Sequence, residues 1–224
     1  MSARDIGGAR IEGVRRRGKQ IFVDLDRGVL SIHLGMTGKL LWNGVPGKYA
    51  RAIFELDRGT LVYDDIRQLG RVEFHPTLPK RFERLGPDAL GIGFDEFYGR
   101  LRKRRGHVKA VLLNQTFLAG VGNIYADETL FAARVHPHAS VARISKARAQ
   151  RLHASLRQTL ETAVEFRGSS ISSYVDSNGA RGGFQQMHQV YARTGEPCFV
   201  CGALIRRIVV AQRGTHYCPH CQRL

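Results

Sequence analysis

A chain of 224 residues suits one large domain or two small ones, and its 43% hydrophobic content is enough to pack a core, which argues against wholesale disorder. Thirty-five Lys and Arg against 19 Asp and Glu leave a formal charge of +16, so a small neutral substrate is a poor first expectation and a polyanion a good one. No apolar run approaches the roughly 18 residues of a membrane span, and the opening Met1-Ser2-Ala3-Arg4-Asp5 has no secretory run, so the sequence reads as cytosolic and without membrane contact.

The first third reads as β-structure. Residues 20–25 and 29–34 are strand-like and flank the turn signal Asp26-Arg27-Gly28. The phrase Leu-Asp-Arg-Gly returns at 56–59, between strand-like residues 52–56 and 60–63, and a further short strand is expected at 71–75. Such spacing predicts a sandwich or barrel. Beyond residue 94 the period changes to about 3.6, over 108–118, 124–133 and 145–166. In the last of these Leu152, Leu156, Leu160 and Val164 are expected on one face, with Ser145 as N-cap and Gly168 at the stop. Residues 168–183, rich in Gly and Ser, read as a long mobile loop. The fold class is therefore α+β and multi-domain: a β-sandwich over 1–94, a helical domain over 95–192, and a cysteine-bearing hairpin over 193–224.

All four cysteines lie in that tail. Cys198-Phe199-Val200-Cys201 and Cys218-Pro219-His220-Cys221 are two C-x-x-C knuckles 16 residues apart, the spacing of a tetrahedral Zn²⁺ site with two thiolates from each tight turn. The alternation between them predicts a β-hairpin. A cytosolic setting argues against disulfides, and the doubled motif against a redox dithiol. His216 and His220 are surplus to a four-coordinate site, and with no open position the expected single Zn²⁺ is structural.

The cations are clustered. Arg100, Arg102, Lys103, Arg104, Arg105 and Lys109 form one group, Arg15, Arg16, Arg17 and Lys19 a second, and Arg206, Arg207 and Arg213 a third. One cluster alone would read as solvated surface, but three in three structural units suit a phosphate backbone gripped from several elements. Gly120-Val121-Gly122-Asn123 feeds a Gly-rich turn into a helix N-terminus, an anion site at which Asn123 is suited to cap and to contact phosphate.

Taken together, Arg17-Gly18-Lys19, His33-Leu34-Gly35-Met36-Thr37-Gly38, Asp65-Ile66-Arg67-Gln68-Leu69-Gly70, the run from Ala119 through Gly120-Val121-Gly122-Asn123-Ile124-Tyr125-Ala126 to Asp127-Glu128, and the tail from Gly195-Glu196-Pro197-Cys198 resemble the formamidopyrimidine-DNA glycosylase/endonuclease VIII family. The phrases occur in family order over nearly the whole chain, and Ser169-Ser170 through Tyr174-Val175-Asp176 to Val190-Tyr191 resembles the formamidopyrimidine branch. The resemblance implies a helix–two-turn–helix domain. It also implies a monomeric base-excision repair enzyme of the bacterial cytoplasm, associated with the nucleoid when bound to DNA. Such an enzyme binds damaged duplex DNA, flips an oxidised purine, removes it and cleaves the apurinic site. It places Met36, Arg67 and Leu69 in the space the base vacates, Leu69 standing where a Phe is usual. It sets Asn123, Lys109 and Arg213 on phosphates or the lesion, with Arg213 also tied to elimination. Arg51 falls where a DNA-contacting His is expected, and residues 168–183 resemble the loop that closes over the everted base; Arg104 and Arg105 are assigned to the DNA-binding surface from the charge cluster alone.

The same resemblance calls for an N-terminal Pro nucleophile followed by Glu, and this chain begins with neither. Three readings follow. The chain lacks its true start; or it uses another amine, with Lys19, which matches the family's catalytic lysine, as the candidate; or it binds damaged DNA or abasic sites without cutting. The like charges of Arg15, Arg16 and Arg17 favour the neutral, nucleophilic form of Lys19, and DNA phosphates oppose it. A zinc-ribbon RNA-binding or transcription protein is the more distant alternative.

Overall fold

The computed structural model describes residues 6–171 and 174–224; the N-terminal stretch carrying the Ser2 amine, and Ser172 and Ser173 of the Gly- and Ser-rich loop, lie outside the described residues. The chain divides into two compact units, Met1–Arg84 with Phe166–Gln185, and Leu85–Glu165 with Gln186–Leu224.

The first unit is built on two antiparallel sheets. Strands β1 (Ile11–Arg17), β2 (Gln20–Leu25), β3 (Gly28–His33) and β7 (Arg71–His75) form one in the order β1-β2-β3-β7. Strands β4 (Gly38–Trp42), β5 (Ala50–Leu56) and β6 (Gly59–Asp65) form the other in the order β4-β6-β5. The repeated Leu-Asp-Arg-Gly phrase is a recurrent turn: Leu25 pairs with Gly28 and Leu56 with Gly59, each across a two-residue Asp-Arg turn. Strand β1 has no alternating signature because it is an edge strand that exposes most of its side chains, and its arginines suit an edge that must not pair with another chain. One face of the four-stranded sheet is closed by Phe82, whose ring meets Phe22 edge-on at 5.1 Å.

The described residues of 166–185 belong to this unit and carry their own hydrogen bonds. The buried Ser170 hydroxyl donates to Tyr174 O (2.7 Å) and accepts from the Gly182 N–H (2.8 Å), while Ser177 O accepts from the Trp42 N–H (2.8 Å) at the free edge of β4. Small residues here permit close backbone approach.

The second unit holds four α-helices, α1 (Phe94–Arg102), α2 (Val108–Leu113), α3 (Asn123–Ala132) and α4 (Lys146–Glu165). Their core joins Phe97, Leu101, Leu112, Phe117, Leu130, Leu152 and Leu156. Helix α1 escapes the sequence reading because only Phe97 and Leu101, four apart, are buried along it. Helix α2 stops well short of residue 118. Asn114 is extended (ψ 109°), and its Oδ1 accepts from both the N–H (2.9 Å) and the hydroxyl (2.8 Å) of Thr116, an alternative to continuing the helix. Ser145 Oγ accepts from the Arg148 N–H (3.3 Å) as a cap should. On α4, Val164 is 65% exposed, against expectation. Steps of four advance about 40° too far around a helix of 3.6 residues per turn, so three steps from Leu152 carry Val164 off the core and Ala163 takes its place.

The cysteine tail belongs to this second unit. Strands β8 (Arg206–Val210) and β9 (Arg213–Tyr217) form the expected hairpin, and Cys198, Ile205 and Cys218 pack with Val190 against Phe131 of α3. Buried Gln222 accepts from the Cys218 N–H (2.9 Å) and donates to Val135 O (3.0 Å), fixing the last turn to the helical core.

The face of α4 can be checked directly. Leu156→Ala is expected to cost about 2–5 kcal/mol in urea unfolding, because the buried site cannot fully collapse. Val164→Ala should stay within about 0.5 kcal/mol.

Candidate nucleic-acid interface

In the first unit the segments that carry four of the expected DNA-contacting residues meet around one buried acid. Asp65 ends β6 and is wholly buried. Its Oδ1 accepts from the Thr37 hydroxyl at 2.5 Å, and its Oδ2 from Tyr63 Oη (3.1 Å) and the Gly70 N–H (2.8 Å). The Thr37 oxygen in turn accepts from the Arg67 N–H (3.2 Å), and Arg51 Nε donates to Asp65 O (3.0 Å). Burial by itself raises the Asp65 carboxyl, but the hydrogen bonds from Thr37, Gly70 and Tyr63 outweigh it and hold the group below the usual carboxylate range. The phenol of Tyr63 is pushed up to about 12, by burial and then by Asp65.

Two loops ride on this anchor, one carrying Met36 and the other Arg67 and Leu69. Met36 is 67% exposed and Leu69 48%, and Arg67 Nη1 approaches Met36 Sδ at 3.7 Å. The loops touch through backbone: a Cβ on Gly35 would lie 2.7 Å from the Leu69 carbonyl carbon, and Gly35 has φ +63°. Gln68, between Arg67 and Leu69, is held at φ +54°, a strained conformation for a residue with a side chain. The result is an exposed apolar and cationic tip on a rigid polar base.

Lys19 occupies the exposed second position of the two-residue turn between β1 and β2. It lies near His33, whose imidazole is lowered by burial and then by the charges of Lys19 and Arg71. His33 Nδ1 accepts from the Gly35 N–H (3.1 Å), so the Lys19 turn and the Met36 loop share a neighbour. Arg15 is engaged with Asp24 (2.8 Å) and lies over Phe22.

In the second unit the residues around Asn123 are tied together from inside. Gly122, with no side chain, is the N-cap of α3; Asn123 is the first helical residue and does not cap. Its Nδ2 donates to Gly214 O (2.9 Å) on β9, and its Oδ1 is buried with no partner among the described residues. Lys109, expected on phosphate, has 0% exposure. Its ammonium meets Asp127 Oδ1 at 2.6 Å and donates to Thr215 Oγ1 (2.7 Å) and Gly214 O (3.2 Å), so in this structure it is an internal pin and presents no surface to DNA. Burial lowers the Lys109 ammonium and Asp127 opposes that shift. Asp127 Oδ2 accepts from the His216 N–H (2.8 Å), with His216 Nδ1 at 3.3 Å. Arg213, at the start of β9, is exposed one residue from the Gly214 carbonyl that Asn123 holds. Arg104 and Arg100 grip Thr116 O (3.2 and 2.9 Å) in the turn after α2, while Arg105 is exposed.

The four cysteine sulfurs lie within 4.8 Å of one another, with Cys201–Cys218 at 3.4 Å and Cys198–Cys221 at 4.0 Å. Tetrahedral zinc with bonds of about 2.3 Å places its sulfurs about 3.8 Å apart, so the set fits. Burial and then the adjoining sulfurs push the Cys221 thiol upward, a cost that a divalent cation among the sulfurs removes. His216 serves Asp127, and His220 is exposed; neither joins the cluster. These four cysteines hold one structural zinc.

Asp65, Thr37, Tyr63 and Asp127 carry the geometry and were not singled out from sequence. The available signal was an acid at an inward position closing an apolar strand, and a second acid in the middle of a helix whose other faces are apolar. Glu128, next along α3, is also buried, and accepts the N–H groups of Gln189, Val190 and Tyr191 at 2.8–3.1 Å.

Exposed wedge-like side chains, clustered cations and a zinc ribbon docked on a helical unit define a zinc-containing DNA-binding protein. The formamidopyrimidine-DNA glycosylase N-terminal domain matches residues 2–72, the H2TH domain of the same enzymes matches 85–175, and the zinc finger found in FPG and IleRS matches 195–224. The formamidopyrimidine-DNA glycosylase of Solibacter usitatus (strain Ellin6076) is 50% identical over 224 residues, all of this chain and 84% of the relative. The MutM (Fpg) protein of Thermus thermophilus superposes with a TM-score of 0.88 at 43% identity, over 96% of this chain and 84% of that one. Lactococcus lactis Fpg in complex with abasic-site DNA gives 0.88 at 36% identity, over 99% and 85%. The chain belongs to the formamidopyrimidine-DNA glycosylase family.

Two outcomes test this architecture. Asp127→Asn strands a buried ammonium and should cost about 3–5 kcal/mol in chemical unfolding, whereas pairing Asp127→Leu with Lys109→Met should recover much of that loss. Chelation of zinc, or Cys218→Ser, should disorder the hairpin and abolish lesion-specific binding, read by mobility shift on abasic-site DNA.

Proposed function

We propose that the chain is a base-excision DNA glycosylase that flips an oxidised purine out of duplex DNA, removes it and cleaves the resulting apurinic site. The observation that carries the reading is the preformed tip of Met36, Arg67 and Leu69 on the Asp65 anchor. A base inside the stack cannot be attacked, and extruding it costs a few kcal/mol that side chains entering the gap help recover. Leu69 unstacks a step as an apolar wedge but cannot stack on a base as an aromatic ring does. The family supports the choice of substrate: related proteins have been solved with Fapy-dG-containing DNA and with carbocyclic 8-oxo-G-containing DNA.

The remaining residues take roles around that tip. Arg51, Arg104, Arg105, Asn123 and Arg213 hold phosphates; Lys109 acts through Asp127 and β9, setting the spacing of Asn123 and Arg213 from within. Lys19 supplies the amine. Its nitrogen bonds to the sugar C1′ as the bond from C1′ to the base breaks, and the base leaves with a proton from water. The C1′–O4′ ring bond then opens as a proton passes from the nitrogen to O4′, giving the Schiff base, and loss of a C2′ proton from it expels the 3′ phosphate, with Arg213 beside the departing group. Zinc holds the hairpin that carries Arg213, and no bond-making step passes through it.

We read the working form as a monomer in the bacterial cytoplasm, with a β-domain over 1–94, a DNA-binding helical domain over 95–192 and a zinc hairpin over 193–224. No described helix is long and apolar enough to cross a membrane.

Borohydride trapping on duplex DNA with one abasic site tests the chemistry. The full chain should form a covalent adduct, and Lys19→Ala should lose it while keeping abasic-site affinity. Tight binding with no adduct from the unsubstituted chain would make it a lesion-binding protein; an adduct that survives Lys19→Ala would move the nucleophile to another amine.

A further inference from the structure

The contacts made by Asp65 are unusual in what they join. Among its side-chain and backbone partners, Thr37 lies on the loop that carries Met36, Gly70 closes the loop that carries Arg67 and Leu69, Tyr63 lies on its own strand, and Arg51 lies on β5. Thr37 is the relay. Its hydroxyl donates its one proton to Asp65 and its lone pair accepts the Arg67 N–H, so the two loops share one oxygen. An acceptor-only carboxylate and a hydroxyl that donates once and accepts once fix the direction of every bond in the chain. The backbone contact at Gly35 and the left-handed Gln68 lie on the two sides of this junction.

We propose that Asp65, acting through Thr37, is a positioning residue for lesion recognition: it locks the Met36 loop and the Arg67–Leu69 loop into a single rigid wedge, although it touches no DNA itself. This rests on the reading that Met36, Arg67 and Leu69 enter the base stack. A wedge helps extrusion only if its side chains hold their places while the stack pushes back. Two loops that move independently would lose that advantage to their own conformational entropy on binding. Phosphate contacts carry affinity for any duplex, and the one that meets this junction, Arg51, bonds the Asp65 backbone carbonyl rather than its carboxylate, so they do not sense the lock. The lock therefore acts on the ratio of damaged to intact affinity. Lowered pH opposes the lock. The folded-state carboxyl lies below its ordinary value, so the lock is complete above that ordinary value and fails only as pH falls through the depressed one.

The test uses the full-length, zinc-loaded chain and two duplexes, one with a tetrahydrofuran abasic-site analogue and one intact, with 2-aminopurine opposite the site to report unstacking. Thr37→Val keeps the shape and removes both hydrogen bonds, stranding a buried carboxylate oxygen. It should lower the ratio of abasic to intact affinity about tenfold and blunt the 2-aminopurine signal, with affinity for intact duplex within about twofold of the parent. Thr37→Ser, which retains the hydroxyl, should restore both. Asp65→Asn should reproduce Thr37→Val wherever thermal melting shows it folded, and Thr37→Val decides the matter if it is not. A folded Thr37→Val chain with the parent's ratio and signal overturns the proposal. Met36→Ala and Leu69→Ala separate this from failure of the wedge reading: if they too leave the ratio and signal unchanged, the residues do not enter the stack at all.

Discussion

The second unit turns on one ion pair. Lys109 of α2 and Asp127 of α3 meet at 2.6 Å in a place no water reaches, and the remaining bonds of both go to β9. A buried pair of this kind adds little net stability over apolar packing, but its partners cannot be exchanged for others without stranding a charge. It therefore selects one seating of the hairpin on the helices. Thr215, Gly214 and His216 are consecutive, and each is held: by Lys109, by Asn123 and by Asp127 respectively. A slip of one residue along β9 would turn every side chain to the opposite face and break all three. Arg213 and Asn123 are thus placed by residues that never reach the surface.

The first unit repeats the arrangement with a different carboxylate. Asp65 gathers hydroxyls and amides where Asp127 gathers an ammonium, but both are buried acids whose bonds end on the loops that carry exposed cations. Glu128 does the same for the segment 189–191. The charge of +16 acquires a spatial meaning from this. Several of the chain's few acids are turned inward as organisers, which leaves the outside more positive than the composition alone requires.

Much of this was legible before any coordinates. The zinc knuckles were, because the chemistry of the metal dictates residue type and spacing together. The Leu-Asp-Arg-Gly turns were, because Gly28 and Gly59 lie at positive φ and a short turn leaves few alternatives. Helix α4 was legible in its existence but not its full face, since a spacing of four drifts away from the true period by Val164. Strands β1 and β4 and helix α1 were not, because they bury too few side chains to leave a pattern. Lys109 was misplaced for a related reason. In a run of six cations sequence sees only charge, and what separates Lys109 from exposed Arg105 is its place on α2 facing Asp127, 18 positions further along. Asn123 was likewise read as a cap, whereas Gly122 caps and frees the amide to reach across to β9. Asp65 was quoted within a phrase without a role, because a hub is defined by partners that are distant along the chain: Thr37 is 28 positions away.

The docking of residues 166–185 on the first unit has a consequence for how the molecule is made. The path crosses between units after Arg84, after Glu165 and again after Gln185, so neither unit is a continuous stretch. During vectorial synthesis the sheets emerge early, yet the Ser177 carbonyl that meets the edge of β4 arrives only after all four helices have been translated. The remaining bonds of Lys109 and Asp127 likewise wait for β9. Each unit thus reaches its final hydrogen bonding only late in synthesis.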